Sequence, residues 1–284
     1  MAALSRCPRA LWRPVARGAG VGLSLARRWG RAPRPVRQWC LNVSTLTGAQ
    51  PEDRVLVAAV VSWARTLVTS MQLPRWSGAR IDAAVDIDPQ AFAALRRLHL
   101  ETGVVLALPH MGSWDLAGAW VSRRGMRVAT VAEHLPPRQF EAFSRARRAL
   151  GMTVHALDSR PLAALLDDAE RGEVVALVAD RDFSRRGVPV VWRGAAGPVP
   201  GSMPGGPAHI ALTRGAALVG VACHYSTPER MRIELSGPLT TTCTDHDEAV
   251  ADLTGQLAHW FASAVRAHPH DWHMFQPVFT GVRA

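Results

Sequence analysis

Hydrophobic positions along the 284-residue chain follow two textures, and the change falls near residue 103. Before it, apolar residues recur at helical spacing among polar ones. Residues 6–39 interleave Arg with Leu11, Trp12, Val15, Val21, Leu23, Leu25, Trp29, Val36 and Trp39, a pattern that predicts basic amphipathic helices. Residues 51–73 predict a helix ended by Pro74, and residues 86–100 another with Pro89 near its start. From residue 103 onward, short continuous apolar runs alternate with helical stretches. Residues 103–109 (G-V-V-L-A-L-P) have the composition of a strand buried on both faces. Further strands are expected at 127–132, 153–157, 174–179, 188–192, 217–223 and 231–235. Helices are expected at 113–123 (capped by Ser113), 137–150, 161–171 (capped by Ser159), 204–214 and 246–267. This alternation predicts an α/β fold: a mostly parallel central sheet flanked by helices, preceded by N-terminal amphipathic basic helices.

Charge changes the picture mainly at the N-terminus. All 33 basic residues are Arg, and nine of them lie in residues 1–50, before the first carboxylate at Glu52. The remaining 24 face 23 acids and nearly cancel them. A basic amphipathic stretch bearing Trp predicts that residues 6–39 lie on an anionic membrane surface. A solvated helix and a targeting peptide are the alternatives, although the apolar run 18–26 is short and lacks a clear cleavage site. Residues 1–50 are therefore expected to be a docking region and 51–284 the α/β domain. No uninterrupted apolar run reaches about 18 residues, so no membrane span is expected. The longest charge-free run, 194–213, holds Pro198, Pro200, Pro204 and Pro207 and predicts a loop entering a helix. Cys7, Cys40, Cys223 and Cys243 form no C-x-x-C pair, which argues against the usual zinc patterns and a disulfide scaffold and for a reducing, cytosolic setting.

The densest chemistry lies in Pro109-His110-Met111-Gly112-Ser113-Trp114-Asp115. His110 falls at the C-terminal end of a buried strand, where open α/β sheets place their ligands. Asp115, in the first turn of the next helix, can fold back onto the imidazole and fix its tautomer. The other ring nitrogen would then accept a proton from a hydroxyl. Gly112 permits close approach of a substrate, and the helix N-terminus favours developing negative charge. A histidine that merely caps a turn is the plainer alternative. Asp180 and Arg181 are expected at the same sheet edge, ordering the site, meeting a polar head group, or forming a surface salt bridge.

His-x4-Asp after a hydrophobic strand resembles the bacterial lipid acyltransferases, including the lauroyl acyltransferases of lipid A synthesis. The closer resemblance is to the phosphatidylinositol mannoside acyltransferases. It rests on L-A-L-P-H-M-G-S-W-D-L-A-G-A-W at 106–120, L-G-M at 150–152, V-A-D-R-D-F at 178–183, G-P-A…G-A-A-L at 206–218 and D-W-H-M-F-Q at 271–276. The resemblance covers essentially the whole chain and implies a glycerolipid-acyltransferase-like sandwich. It also implies acyl-CoA as co-substrate, no cofactor or metal, and a mannose hydroxyl of a membrane-held phosphatidylinositol mannoside as acceptor. The enzyme would sit peripherally at the cytoplasmic side of the inner membrane, with the acyl chain in a long apolar channel. In this resemblance His110 is the general base and Asp115 its orienting acid. Arg147 or Arg148 contacts donor or acceptor, unless these arginines merely line a solvated helix face. His273 and Gln276 meet the sugar.

One departure stands out. The mannoside acyltransferases carry a catalytic-relay glutamate shortly after the strand that follows D-R-D. Here that stretch is Trp192-Arg193-Gly194-Ala195-Ala196-Gly197, and no carboxylate follows until Glu229. The loop to Gly206 is also longer and richer in Pro. The same chemistry on another glycolipid and a non-catalytic lipid-binding paralogue therefore stay open. Other classes find little support. No G-x-S-x-G elbow, Walker A or G-x-G-x-x-G sequence occurs. His268, His270, Asp271 and His273 cluster around Pro269 with no second group to complete a metal site. A basic N-terminus alone, beside a near-neutral remainder, does not make a nucleic-acid partner expected.

Overall fold

The structure, a computed structural model, describes residues 8–132, 137–157, 161–182 and 186–284. Its centre is a seven-stranded sheet in the order β1-β9-β8-β2-β5-β3-β4. The strands are β1 (Val85–Ile87), β2 (Val104–Leu108), β3 (Val128–Ala132), β4 (Met152–Ala156), β5 (Val174–Val178), β8 (Ala217–His224) and β9 (Met231–Leu239). All neighbours run parallel except β8 and β9. All five residues of the central β2 are buried, as its unbroken apolar run requires. Val105 and Ala107 enter one layer, while Val104, Leu106 and Leu108 enter the other. The first layer holds α2 (Arg34–Thr47), α8 (Pro161–Glu170), α9 (Gly206–Arg214) and α10 (His246–Ala267); the second holds α5 (Pro89–Glu101) and α6 (Trp114–Ser122).

Two expectations give way at short elements. The helix expected from residue 86 begins at Pro89, with Asp88 capping it by accepting from the Ala91 amide. Residues 85–87 instead form β1, too short to show a periodicity, paired with β9. The stretch 194–213 is not a loop in its first half. Strands β6 (Val188–Gly194) and β7 (Gly197–Met203) form an antiparallel hairpin turned by Ala195-Ala196. Pro198 and Pro200 fit because alternate residues of a two-stranded ribbon point their amide position away from the partner strand. Pro200 uses its outward carbonyl to accept from the Thr280 amide at 3.0 Å. A cap by Ser159 lies outside the described residues.

The N-terminal helices divide the expected docking region. Helix α1 (Arg9–Arg28) buries Ala16, Gly20 and Ser24, and a Cβ at Gly20 would come within 3.0 Å of the Val57 backbone on α3 (Asp53–Gln72). On the other side of α1 and just beyond it, Leu11, Val15, Val21, Leu25 and Trp29 are exposed. Helix α2, by contrast, is part of the core: Val36, Trp39, Cys40, Val43 and Leu46 are all buried. Its polar residues are also engaged. Asn42 Nδ2 donates to the carbonyls of Met274 (3.0 Å) and Gln276 (2.8 Å), and Gln38 Nε2 to that of Val282 (3.1 Å). So α2 ties down the C-terminal segment.

The stretch from Asp53 to Arg75 is long and apolar enough to cross a membrane by length and composition, but 44% of that window is buried against the protein. Its α3 turns contribute Ser62 and Thr66 to the interior network described below.

The anchor between α2 and the C-terminal segment is testable. The Trp39 indole is fully buried and donates to the Trp272 carbonyl at 2.8 Å. Trp39→Phe should lower unfolding free energy by about 2 kcal/mol, because it leaves that carbonyl unsatisfied and a gap beside it. Denaturant titration measures this, and an unchanged midpoint would mean the contact adds nothing.

Candidate active site

Strand β2 ends at Leu108, and its parallel neighbour β5 ends at Val178, its register partner. Two residues further along each strand stand His110 and Asp180, so the pairing itself delivers imidazole beside carboxylate. Asp180 is fully buried. Its Oδ1 lies 2.5 Å from His110 Nδ1, and its Oδ2 accepts from the His110 amide (2.9 Å) and the Trp272 indole (2.8 Å). The His110 carbonyl in turn accepts from the His273 amide at 2.7 Å. The histidine is thus held at amide, carbonyl and ring. Burial alone would raise the Asp180 carboxyl. The charge of His110 and the hydrogen bonds from the His110 ring, the Trp272 indole and the His110 amide outweigh it, holding the group below the usual carboxylate range. An ionised Asp180 can only accept, so a His110 ring proton sits on Nδ1, and in the neutral ring the lone pair is on Nε2.

The carboxylate on the His110 ring is Asp180; Asp115 is paired elsewhere. Asp115 lies in the first turn of α6, capped by Ser113 as expected, and accepts from Arg147 Nε at 2.7 Å. Arg147 comes from α7 (Pro137–Ala149), and both side chains of this pair are largely buried. The helical turn from residue 113 to 115 carries the carboxylate away from the ring toward α7, a direction that spacing alone does not reveal. The pair lines an apolar cavity of about 750 Å³, its open mouth included, between α6 and the sheet. Leu106, Leu108, Val121, Val178 and Ile233 form much of its wall, and Trp114 links it to His110, whose ring meets the indole edge to face at 5.7 Å.

The remaining candidates separate. Arg148 is exposed and lines a different pocket, with Arg123 and Arg127. Arg181 is partly buried beside Asp180. Gln276 is exposed, and its carbonyl serves Asn42. His273 is buried, with its amide on the His110 carbonyl. The hairpin tip at Ala195 donates its amide to the Leu46 carbonyl, seven residues along α2 from Trp39, or about 10 Å. The stretch that would carry the family glutamate thus packs on a helix end.

Sequence reading missed an inner network. Ser62 Oγ donates to Asp271 Oδ1 (2.5 Å), and Asp271 Oδ2 accepts from the Tyr225 amide (2.9 Å). Thr66 Oγ1 donates to the Gly112 carbonyl (3.1 Å) and meets Tyr225 Oη at 2.8 Å. Gly112 has φ 59°, and a Cβ there would lie 2.5 Å from the Cys223 carbonyl oxygen, so only glycine fits. His268, His270, Asp271 and His273 do not converge on one point. Among the described residues, the converging group is His224, Glu234 and His268, with donor atoms within 4.8 Å of one another. There the two rings stack with centroids 3.6 Å apart and planes 7° from parallel. Their in-plane lone pairs cannot meet at a single ion without rotation.

His273 carries a measurable consequence. The Ser62 proton goes to Asp271, so His273 Nε2–H donates to Ser62 Oγ (2.9 Å), and the buried Nδ1 has no hydrogen-bond partner among the described residues. Burial pushes this ring down to about 4 from 6.5, opposed by Asp271 and reinforced by His110 and His270. The native state therefore keeps His273 neutral while the unfolded chain protonates. Its effect is absent above pH 6.5 and grows as pH falls toward 4, destabilising by about 3 kcal/mol in full. Denaturant titrations across this window should show the slope, and His273→Gln should flatten it; the same slope in that variant would assign it to other groups.

The comparisons with known proteins agree with one another. The family described as bacterial lipid A biosynthesis acyltransferase matches residues 23–280. A phosphatidylinositol mannoside acyltransferase of Mycolicibacterium smegmatis is 33% identical over 283 residues, covering 96% of this chain and 88% of its own length. One from Mycobacterium tuberculosis is 33% identical over 257 residues, covering 86% and 76%. With the family matched over almost its full length, the chain belongs to the bacterial lipid A biosynthesis acyltransferases and is a lipid acyltransferase.

Proposed function

We propose that the enzyme transfers a long-chain acyl group from acyl-CoA to a mannose hydroxyl of a phosphatidylinositol mannoside. The observation that carries the mechanism is the Asp180 clamp, which fixes His110 with its proton on Nδ1 against Trp114, a wall residue of the apolar cavity. His110 Nε2 takes the proton of the acceptor hydroxyl as its oxygen attacks the thioester carbonyl. Collapse of the tetrahedral intermediate breaks the C–S bond, and the imidazolium returns the proton to the CoA thiolate. No metal and no covalent acyl-enzyme is required.

The acyl chain occupies the cavity beneath α6, and the Arg147–Asp115 pair at its wall positions the thioester end. The α6 N-terminus faces this point, and its dipole favours the developing oxyanion. The acceptor is proposed from the names of the relatives together with the motif resemblance. The missing family glutamate speaks for a non-catalytic paralogue. Asp180 answers it, because a buried carboxylate already orients the base.

The outer face of α1 supplies the membrane contact. Leu11, Val15, Leu25 and Trp29 recur at spacings that place them on one side of a helix, with arginines alongside. On this reading the enzyme docks on anionic lipid at the cytoplasmic side of the inner membrane. Removing residues 1–39 would not test this cleanly, since it takes Trp39 out of the core.

Two measurements decide these points. Transfer from radiolabelled palmitoyl-CoA to phosphatidylinositol mannosides should fall about 10²–10⁴-fold in His110→Ala. Asp180→Asn should lower kcat strongly, and Asp115→Asn less. Near-normal transfer by His110→Ala would sink the mechanism, and label on another lipid would move the acceptor. Separately, the double variant Leu25→Ser/Trp29→Ser should fold normally yet sediment less with anionic vesicles; unchanged sedimentation would refute the docking face.

A further inference from the structure

A second pocket opens on the same sheet edge as His110. Strand β8 runs parallel to β2, so Tyr225, just past its end, emerges beside the His110 turn. Between α1, α3 and the β8–β9 loop lies a cavity of about 760 Å³, open to solvent. Three guanidiniums line it: Arg9 from α1, Arg65 from α3 and Arg80 from α4 (Gly78–Ala83). Glu229 is the one carboxylate in that lining, and it lies 2.6 Å from Arg9.

The other two arginines are pre-positioned by aromatic rings rather than by acids. Arg65 Cζ stands 3.6 Å from the centroid of Tyr225, and Arg80 Cζ 3.9 Å from that of Trp76. Arg65 also donates to the Thr227 carbonyl at 2.8 Å. Such contacts orient a guanidinium without neutralising it. Burial holds the Arg65 group below its ordinary range, so a negative ligand nearby would relieve an existing strain on its charge. The buried Trp76 indole nitrogen has no hydrogen-bond partner among the described residues, and it belongs to the same wall.

Excess positive charge, fixed donors and aromatic walls suit an oxyanion carried on a ring-bearing head group. The pocket adjoins α1, whose outer face meets the membrane on the reading above. Thr66, next to Arg65, bonds the Gly112 carbonyl in the catalytic turn. A lipid phosphate held here therefore lies between bilayer and base. We propose that this pocket binds the phosphodiester of the acceptor lipid, anchoring its head group while a sugar hydroxyl reaches His110. The proposal rests on the glycophospholipid acceptor argued above.

The test uses the full-length protein and calorimetry with three soluble probes: glycerophosphoinositol, inorganic phosphate and myo-inositol. Glycerophosphoinositol should bind the unaltered protein, and at least about tenfold more weakly the double variant Arg9→Gln/Arg80→Gln. Arg65→Gln should weaken it similarly, with thermal unfolding checking that the Tyr225 contact has not carried the fold with it. In the transfer assay the double variant should raise KM for the acceptor while kcat and KM for acyl-CoA stay put. Equal binding by parent and double variant would overturn the proposal. So would phosphate binding as tight as glycerophosphoinositol with acceptor KM unchanged, which makes the pocket a free-phosphate site. Binding needs no turnover, so arginine-dependent binding without transfer would fault the catalytic reading and leave this pocket standing.

Discussion

Everything at the catalytic edge depends on one buried carboxylate. Asp180 has no solvent contact, yet it stays charged because three N–H groups converge on it, two from His110 and one from Trp272. Removing a carboxylate from water costs several kcal/mol, and only a full set of donors offsets that. The same donors are what the active site needs fixed. The arrangement stabilising Asp180 is therefore the arrangement holding the His110 imidazole, and neither can be loosened without the other. A parallel sheet suits this arrangement. It ends neighbouring strands at one edge, so residues 70 apart in sequence meet without any specialised loop.

Behind that pair, polar groups are satisfied by a second layer drawn from distant segments. Asp271 bridges Ser62 and the Tyr225 amide, while its own carbonyl accepts from Gly112. Helix α2 holds residues 272–282 through Trp39, Asn42 and Gln38. Such a network tolerates partial breakage poorly, because each orphaned group is buried in low dielectric. His273 is the exception within it: its unpartnered Nδ1 is compatible with burial only while the ring is neutral.

Much of the fold was legible because buried strands and amphipathic helices leave periodic traces. The runs at β2, β3, β5 and β8 are apolar enough to stand out, and α10 matches its expected bounds. What escaped had no such trace. Three residues of β1 cannot display a period, and the prolines of β7 mimic a loop although they only mark outward-facing positions. At the site, His110 was legible from its place after a buried strand. Its partner was not, because sequence distance favours Asp115, five residues away, over Asp180, seventy away. The D-R-D at the end of β5 was the available signal. Helix α2 combines two signals, since its arginines suggest a membrane face while Trp39 and Asn42 are buried in the core.

The clamp on His110 also has a history in the making of the chain. Strands β2 and β5 precede the Trp272 indole and the His273 amide in the order of synthesis. Trp39, made long before, waits for a carbonyl 233 residues downstream. Contacts of such separation form late, after the loops between them have closed. A nascent chain can thus hold the sheet, and even the apolar cavity, without a gripped imidazole. On the proposed mechanism, an imidazole able to take a hydroxyl proton is completed only when these distant contacts close.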